Sequence, residues 1–407
     1  MNAYDTNDPR KLLALKRLEA DAMLDVLRTI NHADLNISQL CLIARNVLRA
    51  QLGVRKMAFL YLYRDRWEEG MRVGFKAFSP EATAEMYEQD DITLVTADDL
   101  PALAEADVEY VVPITNKRET TAFFLIADFA DSEVEAQNDL IFIETLGNIL
   151  AVAIRNRQLF QETMEQESLR RELEVAEAIQ KQLLISDFSR FDDLDVYGMN
   201  EAHDRVGGDF YDLIKKENDI TFICIADVAG KGIGAALLMS NLQANLRALC
   251  AQYNDLPIII TELNRILYGI TVGEKFVTLF LARLDTRRRT LHYINAGHNY
   301  PIFLHQGRPQ RLDIGCILLG IMPELQTESG TLTFDPGDRL FMFTDGVVEQ
   351  TNPQEEMFGG EKVVAELLQN PDHGAEEMVL HMQKVLRQFA AQVEPADDIT
   401  MLCVTFR

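Results

Sequence analysis

Residues 222–234 read FICIADVAGKGIG. Phe222 to Ala226 form an apolar run of strand length, Asp227 sets a carboxylate at its end, and Gly230, Gly232 and Gly234 lead into an Ala- and Leu-rich stretch of helical character. An uninterrupted apolar strand is one covered on both faces, and glycines just beyond it permit left-handed backbone or close approach to a ligand. The stretch therefore predicts a doubly covered sheet with an acid at its edge. The glycine spacing is not that of a Walker loop, and no Ser or Thr follows Lys231. Taken alone, Asp227 is equally readable as a turn aspartate capping the helix behind it.

The arrangement recurs along the chain. RLFMFTDG (339–346) ends a second apolar run in Asp345 and Gly346, GGDFYD (207–212) puts Asp209 after two glycines, and PADDIT (395–400) carries Asp397 and Asp398 into the apolar segment MLCVTF. Gathering several like charges is expensive unless cations neutralise them. Ligands that are all oxygens suit Mg2+ or Mn2+ better than zinc. Two such ions about 3.5 to 4 Å apart can orient a water and stabilise the departing oxygen of a phosphate ester. No Ser/His/Asp or Cys/His set stands out beside these acids.

At 407 residues the chain is long enough for two domains. Its 64 acidic against 39 basic residues give a net charge of -25, which argues against a nucleic-acid partner. The five cysteines, Cys41, Cys224, Cys250, Cys316 and Cys403, are scattered without metal-ligand spacing, as in a reducing compartment. No apolar run has the length of a bilayer span, and MNAYDTNDPRKLL lacks the apolar core of a signal peptide. A cytoplasmic protein without membrane insertion is expected.

Two halves are legible. Amphipathic helices are expected over 10–31 (Leu12, Leu15, Leu18, Met23, Leu24, Leu27) and 36–50. Strands are expected at 57–63, 109–114 and 121–127, the last two joined by a turn at 115–119, with a closing helix over 133–156. Together they make an α+β domain over residues 1–155. Residues 155–184 contain no Pro or Gly, and Leu169, Leu173, Ala176 and Leu183, with Gln180 at the remaining position, follow the spacing of a coiled-coil seam. A helical linker over 156–185 and a homodimer formed through it and the N-terminal domain are expected; a helix packed on its own domains is the other reading. Over 186–407, strands are expected at 194–199, 210–215, 221–227, 276–285, 290–296, 302–305, 339–344 and 400–406, and helices at 233–251, 257–268, 360–368 and 374–391. Strands in hairpin succession with helices in long insertions predict a two-sheet sandwich with helices outside.

Six motifs occur in order in this second half: VGGDFYD (206–212), ADVAGKGIGAALLMS (226–240), FVTLF (276–280), NAGHNYP (295–301), GDRLFMFTDGVVE (337–349) and ADDIT (396–400). Together they resemble the stage II sporulation and RsbU-type branch of the metal-dependent type 2C protein phosphatases. The resemblance covers roughly residues 186–407 and implies an α-β-β-α sandwich with a centre of two Mn2+ or Mg2+ ions. By motif, Asp227 corresponds to the acid that bridges both ions, the Val228 carbonyl to a ligand of one, Asp209 to the acid on the second ion, and Asp345 and Asp397 to ligands of the first. Asp398 corresponds to a supporting position whose direct metal contact stays open. The implied reaction is attack of metal-bound hydroxide on a phosphoserine or phosphothreonine of a small regulatory protein, an anti-sigma-factor antagonist by resemblance.

Some positions depart from the family or stay ambiguous. Gly234 and Ile185 stand where many relatives carry Pro. The branch lacks the phosphate-binding arginine of its eukaryotic cousins, leaving Arg205 as a weak substitute. His298 is a general-acid candidate or a structural turn histidine. Asp212 reads as supporting, and Lys231 as a solvent-exposed side chain or a contact for phosphate or an acid. The first half resembles a GAF sensory domain in element order. Cys41 there lies on an apolar helix face, and Tyr61, Tyr63, Trp67 and Phe75 read either as core or as the lining of a pocket for an unidentified small-molecule or protein signal. EVAEAIQKQLL (174–184) resembles the entry helix through which such a sensor acts on the phosphatase. Two other functions fit the same residues: a non-catalytic dimeric signalling scaffold, and a metal hydrolase of small phosphate esters.

Overall fold

The computed structural model describes residues 20, 21, 23, 24, 27, 28, 35–64, 66–116, 119–128, 133–217 and 219–407. Two compact units divide the chain, Met1–Ser168 and Leu169–Arg407. Most of the helix expected over 10–31 lies outside the described residues.

In the first unit, β1 (Lys56–Tyr63), β2 (Arg66–Val73), β3 (Thr93–Leu94), β4 (Tyr110–Asn116) and β5 (Glu119–Ala127) form an antiparallel sheet in the order β2-β1-β5-β4-β3. Helix Ile37–Leu52 opens with a capping box between Asn36 and Gln39 and closes at Gly53 in the left-handed region. One sheet face packs Met57, Phe59, Phe124 and Ile126 against this helix and against Ile143, Leu146 and Leu150 of a second helix. The other packs Ala58, Val111 and Phe123 against Met86 and Leu103 of the short helices Pro80–Tyr87 and Pro101–Glu105. β2 had no counterpart in the sequence reading. Its RWEEGMRV is charged and largely exposed, because an edge strand has little to bury and charges there discourage further pairing.

Cys41 is fully buried, and burial pushes its thiol up to about 12. The aromatic candidates are packed: Trp67 lies against Tyr87 and Phe123, Phe75 against Phe78, and the Tyr61 hydroxyl donates to Glu68 at 3.0 Å.

A single helix, Glu133–Leu183, runs 51 residues. The division into units falls at Ser168/Leu169, within the linker expected over 156–185. No Pro or Gly interrupts residues 148–183, so nothing in the backbone stops the helix there.

The second unit has two sheets. The first contains β7 (Phe210–Lys216), β8 (Ile220–Val228), β9 (Val277–Asp285), β10 (Thr290–Ala296) and the short β13 (Gly315–Cys316), in the order β13-β10-β9-β8-β7, with β14 (Gly330–Thr333) also on β10. The second contains β6 (Leu194–Glu201), β11 (Ile302–His305), β12 (Arg308–Arg311), β15 (Arg339–Phe343) and β16 (Ile399–Phe406), in the order β12-β11-β15-β16-β6.

The apolar run of β8 resolves into two alternating sets. Phe222, Cys224, Ala226 and Val228 face helices Ile233–Gln252 and Leu256–Thr271, whereas Ile223 and Ile225 face Leu340, Met342, Leu402 and Val404 of the other sheet. Phe341, Phe343, Met401 and Cys403 in turn face helices Gly359–Gln369 and Ala375–Ala390. The order is helix, sheet, sheet, helix, with three apolar layers between. Deleting a fully buried side chain such as Phe222 or Phe341 would cost about 3–5 kcal/mol.

Candidate functional site

Strand ends from both sheets meet at one edge of the sandwich. Asp209 immediately precedes β7, Asp227 is the penultimate residue of β8, and Asp397 and Asp398 lead into β16. Asp345 was expected as a residue following a strand. It is the first residue of a short helix, Asp345–Val348, after β15.

These acids act on one another. Asp209 is buried, and burial followed by repulsion from Asp227 holds its carboxyl well above the usual carboxylate range. Burial, then Asp345 and Asp397, push Asp227 up to about 7, and Asp227 lies within hydrogen-bonding reach of Asp209. Asp345 is raised by burial, then by Glu349 and Asp397. No three of the five aspartates bring oxygens within 4.8 Å of one another. An all-oxygen set that resists ionisation on its own fits a hard divalent cation, whose charge would remove that resistance. The Val228 carbonyl also faces this edge, 2.7 Å from the place a Cβ on Gly208 would take.

Three glycines allow the motifs to interlock. A Cβ on Gly207 would stand 2.2 Å from Asp398 Oδ2, and one on Gly346 would stand 2.0 Å from the Asp398 carbonyl oxygen. In the space left by the first, Asp398 accepts from the backbone N–H of His203 at 2.8 Å through Oδ1 and from that of Gly208 at 2.8 Å through Oδ2. Both oxygens therefore hold the loop that carries Asp209.

The sequence reading passed over the groups that hold Asp209 itself. Thr344 Oγ1 donates to Asp209 Oδ2 at 2.7 Å and accepts from the Thr400 N–H at 3.0 Å, while the Asn200 side chain donates to the Asp209 carbonyl at 3.2 Å and to Thr400 Oγ1 at 2.8 Å. Thr344 and Thr400 are the threonines of TDG and DDIT, so the available signal was a hydroxyl beside each acid. Asn200, at the end of β6, carried none.

Other candidates fall into place. Arg205 pairs with Glu174 at 3.1 Å, so its guanidinium is engaged by the helix. Lys231 pairs with Asp397 at 3.3 Å and also meets the Ala396 carbonyl. Asp212 is buried and takes two bonds from Arg247, at 2.6 and 3.1 Å, a structural ion pair. His298 is buried; its Nδ1 pairs with Thr278 Oγ1 at 2.8 Å, and Thr278 lies opposite Asp227 in the β8–β9 register. Burial pushes its imidazole down to about 3, which leaves the ring neutral at physiological pH and favours the structural role.

The end of helix Glu133–Leu183 rests on the same loop. Gln180 Nε2 donates to the Gly207 carbonyl at 2.7 Å, and the Gly207 N–H donates back to Gln180 Oε1 at 3.1 Å. Gln243 ties the last turn down by donating to the Leu183 carbonyl at 2.8 Å. The polar member of the expected seam is thus a contact to the acid loop.

Among the described residues, a candidate metal-binding cluster of another kind brings together His305, Asp335 and Asp338 within 4.8 Å. It lies at the opposite end of β15 from Asp345. There Asp338 accepts from His305 Nδ1 at 2.7 Å, from the Asp335 N–H at 2.7 Å and from the Gln306 N–H at 3.0 Å, so its oxygens already organise the turn.

The two sheets, their outer helices and the acid-bearing edge define a class: the second unit has the fold of the PP2C, SpoIIE/RsbU-type phosphatase domains. It is similar to the SiaA-PP2C domain of Pseudomonas aeruginosa, with a TM-score of 0.54 at 21% identity over 60% of this chain and 99% of that one. Residues 217–407 match the family model of stage II sporulation protein E (SpoIIE). Protein IcfG of Synechocystis is 29% identical over 264 residues, 58% of this chain and 41% of that protein. Phosphoserine phosphatase RsbU of Bacillus subtilis is 28% identical over 186 residues, 45% and 55% respectively. The chain spans about half the length of the curated relatives it matches.

Proposed function

We propose that this chain is a divalent-metal-dependent protein phosphatase that hydrolyses phosphoserine or phosphothreonine on a small regulatory protein of the anti-sigma-factor antagonist kind. The observation that carries the reading is the meeting of Asp209, Asp227, Asp345 and Asp397 at strand ends drawn from both sheets. Matches to RsbU and RsbP, both phosphoserine phosphatases of Bacillus subtilis, support the substrate class.

Asp227, Asp209, Asp345, Asp397 and the Val228 carbonyl would hold two Mn2+ or Mg2+ ions, with Asp398 supporting. Bound there, the cations would neutralise the acids and polarise a phosphate ester and water. Asp227, which feels Asp209, Asp345, Asp397 and Asp398 together, would be the acid that serves both ions. Thr344 holds the Asp209 carboxylate and Asn200 its backbone carbonyl, and Asp398 keeps the Gly207–Gly208 backbone close to Val228.

The N-terminal unit is proposed as a GAF-like sensor acting through Gln180, which holds the loop next to Asp209. The chain is proposed to dimerise. The helix face carrying Gln180 is occupied by its own unit, whereas Val175 and Ile179 are 61% and 56% exposed, so these two apolar residues form the pairing face.

Asp227→Asn is expected to abolish Mn2+-dependent phosphate release from phosphoproteins while leaving the circular dichroism spectrum and cooperative unfolding intact. Turnover retained by the folded variant would sink the assignment. Nucleotide substrates, run in parallel, distinguish a protein phosphatase from a hydrolase of small esters.

A further inference from the structure

Among the described residues, a lysine lies over the glycine loop that follows Asp227 and takes part in none of the contacts of the acid edge. Lys275 is half-buried in the TVGEK turn (271–275) between helix Leu256–Thr271 and β9. Its ammonium folds over the glycine loop that follows Asp227: a Cβ on Gly234 would stand 3.2 Å from Nζ, and one on Gly230 would stand 3.7 Å away. The backbone is held on both sides. The Ala229 N–H donates to the Phe276 carbonyl at 3.0 Å, and the Lys275 carbonyl oxygen lies 3.2 Å from the place of a Cβ on Gly320. The turn adopts an unusual backbone to reach this position. Val272 has φ 51 and ψ 33, a left-handed conformation that β-branched residues rarely take, and Gly273 follows at φ 80.

Among the described residues Lys275 makes no hydrogen bond or ion pair, whereas Lys231 on the same loop is paired with Asp397. In a chain of net charge -25, an ammonium that lies over the glycine loop following Asp227 and is bonded to no acid is available to an anion from outside the chain. The same contact bears on the residue type at Gly234. Its φ lies outside the left-handed region, so no backbone strain requires glycine there; what a side chain would meet is the lysine ammonium. A lysine is a compact charge with three donors, well suited to phosphate oxygens.

We propose that Lys275 receives the phosphoryl group of the substrate and that Gly234 keeps the space its ammonium needs. The proposal rests on the phosphatase reading above and adds to it a substrate-binding residue. The full chain, loaded with Mn2+, is assayed on p-nitrophenyl phosphate and a phosphoserine peptide, and inorganic phosphate binding is followed by calorimetry. Lys275→Met is expected to raise KM and the dissociation constant for phosphate roughly tenfold or more, with a smaller change in kcat, and Lys275→Arg to recover part of the loss. Gly234→Ala should weaken phosphate binding in the wild-type background and not in Lys275→Met, since the two positions act as one. KM and phosphate affinity of Lys275→Met within twofold of wild type would overturn the proposal, as would a wild type that binds no phosphate. If the wild type binds phosphate but turns nothing over, the phosphatase reading falls while the calorimetry still decides the role of Lys275.

Discussion

Asp209 and His298 occupy comparable depths of the sandwich and solve opposite problems. Asp209 is an acid kept beside other acids by Thr344 and Asn200, and burial, then Asp227, raise its pKa. His298 is a base kept uncharged: burial depresses its pKa from 6.5 to about 3. Between those values the unfolded ring takes up a proton and the folded ring does not. Its contribution to stability is therefore complete above pH 6.5 and is lost as pH falls towards 3, at about 1.4 kcal/mol per pH unit or less. Urea unfolding of wild type and His298→Gln at pH 7 and pH 5 checks this. The wild type should lose more stability on acidification than the variant, and parallel losses would exclude a buried neutral imidazole.

At the level of elements, the decisive contact is the reciprocal pair between Gln180 and Gly207. Residues 169–183 belong to the second unit, so a fragment starting at residue 186 lacks part of what shapes the acid loop. Fragment 169–407 should bind Mn2+ several-fold more tightly than 186–407, measured by calorimetry; equal affinities would show that the helix end does not order the site.

The elements that carry the site were legible because each buried strand is apolar enough to announce itself: Thr290–Ala296 and Ile302–His305 fall on the expected residues, and Ile220–Val228 and Arg339–Phe343 within a residue at either end. β12, whose RPQR is exposed throughout, and β14 offered no such pattern, because their pairing depends on a neighbour supplied by the fold. The four acids stand out in their motifs, and the fold brings the strand ends that carry them to one edge. Their supports were not legible, since the Asp209–Asp398 and Asn200–Thr400 contacts join residues nearly two hundred positions apart. Lys275 was missed for a related reason: its significance depends on the loop it covers, which the sequence does not place beside it.

At the scale of the whole molecule, the helix Glu133–Leu183 passes from one unit into the next and exposes Val175 and Ile179 beyond the division. If that face pairs two chains, Val175→Glu with Ile179→Glu should leave the protein folded and shift it from dimer to monomer in sedimentation velocity. An unchanged sedimentation coefficient would place the dimer contact elsewhere or deny it.

β16 has one further consequence. It is synthesised last of the elements described, yet it lies between β15 and β6 in its sheet and brings Asp397 and Asp398 to the edge where Asp209 and Asp227 wait. A ribosome that has not yet released β16 therefore carries a chain whose N-terminal unit is already synthesised and whose four acids are not yet together. At cellular elongation rates that interval lasts on the order of ten seconds or more. During it, the N-terminal unit can fold before Asp397 and Asp398 reach the edge where Asp209 and Asp227 lie.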